Sequence, residues 1–206
     1  MKEGDAVHII VQCAEAYCEN LNNTNLLMVY RNKSSNEFEW IETVFLPRNF
    51  MHLTGVRQNG NNPITSVNFY NKCIDRRLYE DDFVFSNDGT ISLKLSVLPN
   101  LMKKNLSAKM IGDYKEYSLV LHTEKIAGST TACIGFVFDE ESGLYVPNTV
   151  LKRDIREATK NNYARILAIY QKAIHDKLYN TCVYCGKGVD VSAIDPNDLL
   201  RSSKGS

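Results

Sequence analysis

The chain has no run of about eighteen apolar residues, so a membrane-spanning helix is not expected. Its first residues contain no basic segment leading into a long apolar core, so no signal peptide is expected either. Excess charge is also missing, because Lys+Arg and Asp+Glu both number 24. A protein that captures polyanions by long-range attraction is usually basic, so any nucleic-acid contact has to come from a local cleft. There is no paired Gly-rich phosphate loop, no internal repeat and no low-complexity block. The six cysteines lie mostly within apolar patterns in a chain of 206 residues, which reads as reduced, cytoplasmic thiols rather than a disulfide framework.

What is present is ordinary globular composition, 44% hydrophobic and 23% charged. It predicts one domain over residues 1–186 and a loosely ordered tail over 187–206, which is rich in Asp, Ser and Asn. Ala6, Ile9, Ile10, Cys13, Ala14, Tyr17 and Leu21 recur at helical spacing. Leu26–Arg31 and Glu37–Leu46 read as a hairpin around a polar turn. Pro63 suits the first turn of a helix whose apolar face is Val67, Tyr70, Ile74 and Leu78. The stretch from Ile91 to Lys104 fits both strand alternation and helical spacing; its length favours a helix, with Pro99 against.

From Ser107 four short apolar runs follow: Ala108–Gly112, Tyr117–Thr123, Ala132–Asp139 and Leu144–Pro147. They are separated by turn-like residues, Ala127-Gly128-Ser129 among them, and Ala164–Ala173 reads as a further strand. Helices first and hairpins later predict an α+β fold.

One stretch, Phe50-Met51-His52-Leu53-Thr54-Gly55, places an imidazole and a hydroxyl two residues apart. In an extended segment both would leave the same face. It stands out together with Ile126-Ala127-Gly128, Ala132-Cys133-Ile134-Gly135-Phe136 and the run from Tyr145-Val146-Pro147-Asn148 to Arg156. With the Phe69-Tyr70-Asn71-Lys72 helix between them, these segments resemble the fourth phage-borne subfamily of barnase/EndoU/colicin/RelE-like (BECR) nucleases. The resemblance covers about Phe50 to Arg156 and implies N-terminal helices packed on a curved antiparallel sheet, with the first hairpin as an addition. It also implies metal-independent RNA cleavage, no cofactor, and coding by a phage or other mobile element acting in a bacterial cell.

Such cleavage moves a 2′-oxygen onto phosphorus and needs a base, an acid and donors for the phosphorane. His52 is the first candidate because imidazole titrates near neutrality; the bland reading is that it braces a turn. Thr54, Lys125 and Tyr145 complete the candidate catalytic set. Ser129, Thr130, Thr131, Lys152 and Arg156 are candidate phosphate contacts, and Asn148 would read a base or fix a loop. A polar turn and a solvated charged face are the competing readings of these groups. His122 reads as a surface histidine, and His8 and His175 receive no role.

Cys182 and Cys185 form a CxxC that cannot close a tetrahedral zinc site alone, so no metal is assigned. Two other functions stay open. One is a non-catalytic protein on the same scaffold that binds a host or phage protein, for example to inhibit a host defence complex. The other is a nucleotide or small-molecule binder with an aromatic pocket.

Overall fold

The computed structural model describes residues 3–32, 35–86, 89–115 and 122–202. In chain order the elements are α1 (Glu3–Asn20), β1 (Thr24–Arg31), β2 (Phe38–Phe45), α2 (Pro47–Thr54), β3 (Arg57–Gln58), α3 (Ser66–Ile74) and β4 (Phe83–Val84). There follow α4 (Ile91–Leu101), β5 (Met110–Asp113), β6 (Lys125–Gly128), β7 (Cys133–Asp139), β8 (Leu144–Leu151), α5 (Ile155–Ala158), β9 (Tyr163–Ala173), β10 (Thr181–Cys185) and α6 (Pro196–Ser202). The mixed α+β class expected from the sequence is what the chain adopts.

The sheet closes on itself. Its order is β1-β2-β8-β7-β6-β5-β9, and β9 pairs again with β1, giving a seven-strand ring to which β10 is added along β9. The first hairpin is therefore a wall of the ring rather than an addition to a curved open sheet. Neighbours are antiparallel except β2 and β8, which run parallel and meet at a single pair, Thr43 and Tyr145. Beyond that pair α2, which follows β2 directly, lies beside β8.

Alternation decides which side chains face the core. Met28, Ile41, Ile111, Ala127, Phe136, Val150 and Ile166 share one apolar cluster with Ile10 and Tyr17 of α1, Phe50 of α2, Phe69 of α3 and Leu95 and Leu98 of α4. Tyr17 is the hub on the helical side: its ring lies 5.3 Å from Phe50 and 5.8 Å from Tyr70, and its hydroxyl donates to the Leu46 carbonyl at 2.8 Å. Edge-on aromatic pairs of this kind add about 0.5–1.5 kcal/mol each beyond their buried area. The other face of β1 and β9 carries Leu27, Val29, Ala168 and Tyr170, covered by Tyr179 and Ile194.

Three expectations change. First, residues 50–54 are helical, not extended. Pro47 starts α2, Asn49 Oδ1 accepts from the Leu46 N–H at 3.0 Å, and Gly55 ends it in the left-handed region at φ +79°. A Cβ at Gly55 would also meet Lys94 Cδ at 2.7 Å.

Second, Ala127 and Gly128 belong to β6, and the turn falls at Ser129–Ala132. Gly128 serves close approach instead of a turn, since a Cβ there would sit 2.3 Å from the Ala132 carbonyl oxygen. The expected strand Tyr117–Thr123 lies mostly outside the described residues.

Third, the tail from Lys187 is tied down as far as Ser202. Tyr170 Oη donates to the Ile194 carbonyl at 2.9 Å, and the Tyr179 N–H donates to Asn197 Oδ1 at 2.9 Å. The ambiguous Ile91 stretch is a helix, with Ile91, Leu95, Leu98 and Leu101 buried at helical spacing.

Candidate functional site

The helical form of α2 separates the two residues that the sequence placed side by side. Two positions on a helix differ by about 200°. His52 is exposed, whereas Thr54 is fully buried. The Thr54 hydroxyl donates to the Met51 carbonyl at 2.7 Å and accepts from the Val56 N–H at 3.3 Å. It closes the helix end and does not reach a substrate.

His52 instead meets a group from α4. Lys94 is its cationic neighbour: partial desolvation of the ring, and then the Lys94 ammonium, hold the imidazole below its ordinary value of 6.5. The downward shift favours the neutral ring, the form that accepts a proton. Lys94 Nζ donates to Thr149 Oγ1 at 3.2 Å, which ties α4 to β8.

Next to Thr149, a register slip in the β7–β8 ladder between Gly135 and Phe136 leaves Asn148 as an extra residue. Asn148, Thr149 and Thr123 all crowd Gly135, whose absent Cβ would lie 2.7 Å from Thr123 Cγ2 and 2.8 Å from Thr149 Cγ2. Asn148 Nδ2 donates to the His122 carbonyl and Thr123 Oγ1 donates to Asn148 Oδ1 at 3.3 Å. Asn148 therefore fixes the entry to β6. Arg48, one helical turn before His52, pairs with Asp139 at 3.2 Å and Glu141 at 3.3 Å and anchors α2 to the β7–β8 turn.

Lys125 and Tyr145 lie elsewhere, at one mouth of the ring. Both share the inward parity of Ala127 and Phe136; Lys125 lines an open cavity of about 200 Å³ with Tyr30, Glu39 and Asp113, and Tyr145 stands near Lys125 and Asp113. Lys125 Nζ donates to Asp113 Oδ1 at 2.6 Å, and Glu39 accepts from Asn32 Nδ2. Burial raises the Tyr145 phenol, Lys125 pulls it back, and Glu124 and Asp113 raise it again. Burial and then Glu39 push the Tyr30 phenol well up, with smaller contributions from Asp113 and Tyr145.

The remaining candidates cluster at the opposite end of the meander. Ser129 and Thr131 bond each other at 3.1 Å within the β6–β7 turn, and Thr130 is exposed beside them. Lys152 is exposed, and Arg156 is engaged by Asp154 through Nε at 2.9 Å. The Asp154 carboxyl is held low by hydrogen bonds from the Arg156 side chain and N–H.

His122 is exposed, 3.5 Å from Glu124. Cys182 and Cys185 are exposed free thiols, while burial pushes Cys13, Cys73 and Cys133 up to about 12. Among the described residues no three His, Cys, Asp or Glu side chains are grouped closely enough to hold a metal, and no helix is long and apolar enough to cross a membrane.

Sequence reading missed Lys94, Thr149, Tyr30, Glu39 and Asp113. For three of them a signal existed. Tyr30 follows Leu26 and Met28 at inward parity, Glu39 precedes Ile41, and Asp113 follows Ile111. A polar residue at the last inward position of a strand marks the rim of a ring.

The fold is a helix-braced closed ring with an imidazole and a neighbouring ammonium group at the corner of α2, α4 and β8. The chain belongs to the family described as phage-Barnase-EndoU-ColicinE5/D-RelE like nuclease4, whose profile matches residues 9–187. No curated protein and no solved structure matches it.

Proposed function

We propose that this protein is a metal-independent endoribonuclease of phage or mobile-element origin, working at the corner where α2, α4 and β8 meet. The observation that carries the reading is His52, an exposed imidazole held below its ordinary pKa beside Lys94. Neutral His52 takes the proton of a ribose 2′-hydroxyl. The 2′-oxygen bonds to phosphorus, the P–O5′ bond breaks, and the leaving oxygen takes a proton from solvent at this exposed corner. The products are a 2′,3′-cyclic phosphate and a free 5′-hydroxyl. Lys94 supports the phosphorane charge, and Thr149 fixes where the ammonium sits. Lys125 and Tyr145 are placed in substrate binding at the ring mouth rather than in proton transfer.

The test is incubation of purified protein with total cellular RNA in EDTA. Fragments ending in cyclic phosphate, lost in His52→Ala, support the reading. No cleavage at all, or cleavage unchanged in His52→Ala, removes it. The zero net charge favours a second reading, a non-catalytic scaffold that binds a host or phage protein. Intact RNA together with a stoichiometric complex with one purified defence component would establish it.

A further inference from the structure

The cavity at the mouth of the ring is not needed for the chemistry at His52, yet it is built with more care than a surface dent. Four strands each deliver one inward side chain to it, Tyr30 from β1, Glu39 from β2, Lys125 from β6 and Asp113 from β5; Tyr163 of β9 also lines it, and Tyr145 of β8 stands near Tyr30 and Lys125. Phe138 of β7 stands edge-on to Tyr145 with ring centres 5.5 Å apart. The floor is apolar, formed by Ile111 and the inward residues beneath it. Two carboxylates, Glu39 and Asp113, approach the Tyr30 hydroxyl from different strands, so their fields converge on one spot. An aromatic wall, an apolar floor and acceptors gathered at the rim make a slot for a flat heterocycle that brings hydrogen-bond donors.

We propose that this mouth is a nucleobase pocket selecting bases that carry an exocyclic amino group, with Glu39 and Asp113 accepting from the amino edge and Tyr30 offering its ring for stacking. An ionised carboxylate is an acceptor only, with room for about four hydrogen bonds. Adenine, cytosine and guanine each offer an amino group to it. Uracil offers carbonyl oxygens on both sides of its one N–H, and these meet carboxylates unfavourably. Lys125, already neutralised by Asp113 at 2.6 Å, leaves Glu39 as the acceptor less burdened by cations. Tyr145, beside the pocket, and Thr149 are four residues apart on β8, about 13 Å at roughly 3.3 Å per residue, a span that a short single strand can bridge. The proposal names the substrate preference of the nuclease reading and rests on it for that connection, but the pocket is testable without cleavage.

The experiment is titration of the purified full chain with AMP, CMP, GMP and UMP in EDTA, followed by calorimetry or amide chemical shifts. At least one amino-bearing nucleotide is expected to bind fivefold or more tighter than UMP, with shifts at Tyr30 and Tyr145. Glu39→Gln and Asp113→Asn, checked for native circular dichroism, should shrink that ratio to below twofold, while His52→Ala should leave it intact. Equal binding of UMP, no binding of any nucleotide at millimolar concentration, or a ratio unchanged in both carboxylate variants overturns the pocket. RNA cleavage without base preference would sink the pocket and leave the nuclease reading standing. Base-selective binding without cleavage would do the reverse.

Discussion

The two ends of the β6–β7–β8 meander hold similar residue types and do different things with them. Toward one end, Lys125 lines a cavity with groups from three other strands and Tyr145 stands near it, and His52 has Lys94 as its cationic neighbour beside β8. At the other end, Thr131, Lys152 and Arg156 are exposed and Ser129 is half-buried, and the hydroxyls and the guanidinium bond to neighbours within two residues in sequence. At the first end, groups from distant parts of the chain perturb one another. At the second, Arg156 has already spent its donors on Asp154. Convergence of non-local groups in a partly desolvated place, more than residue type, separates a site from a solvated turn.

The largest effect expected from that contrast is at His52. Positioned acid–base groups contribute about 10²–10⁴-fold, so His52→Ala should cut RNA cleavage by at least about 10²-fold with the fold intact. Cleavage rates alongside thermal melts check this, and a loss below threefold would break the comparison at its stronger end. Phe50→Ala comes next. Phe50 is fully buried against Tyr17 and Tyr70, and truncating such a ring costs about 3–5 kcal/mol. Chemical denaturation should show that loss, and activity should fall with it, because α2 carries His52.

Lys94→Met sharpens the electrostatic half of the comparison. The substitution keeps the apolar stem and removes the charge. Hydrogen bonds from charged groups are worth about 1.5–3 kcal/mol, so cleavage should fall roughly 10- to 100-fold. The pH profile carries the sign. His52 acts as the neutral base, so its rate rises with pH through its own pKa, which partial burial and then Lys94 hold below 6.5. Without the ammonium the acid limb should move upward, toward 6.5. A limb that stays in place, or moves down, would show that Lys94 does not face the working imidazole.

Much of the fold was legible because periodicity reports local structure. The Ala6–Leu21 spacing became α1, the Leu26–Leu46 alternation became β1 and β2, and the Ile91 stretch resolved to a helix by its length. What periodicity could not report was closure. The β1–β9 pairing joins residues some 140 positions apart, and nothing in either strand's own pattern announces its partner.

The same gap explains the site. His52 was readable as a titrating group, but its partner Lys94 comes from another helix, and Glu39 and Asp113 meet only once the ring closes. Thr54 was misplaced for a local reason. Pro47 and the Asn49 side chain start a helix just upstream, and a two-residue spacing that shares a face in a strand splits it in a helix.

The smallest predicted effect is the one that tests the weaker end. Arg156→Ala removes an exposed guanidinium already committed to Asp154, and solvent-screened pairs of this kind contribute little. Ser129→Ala removes a hydroxyl whose bonds stay within its own turn. Either change should alter cleavage by less than threefold, and surface substitutions of this sort usually move stability by about 0.5 kcal/mol or less. The salt dependence of RNA binding gives a finer reading. If no phosphate is neutralised at that end, the slope of log affinity against log salt stays as in the parent, whereas each lost phosphate contact on a single strand would flatten it by about 0.7. A tenfold loss with a flattened slope would mean that RNA runs the whole length of β8 and that Arg156 exchanges Asp154 for phosphate on binding. The far end would then be a dormant anion contact, and the contrast between the two ends would be one of ligand-free electrostatics alone.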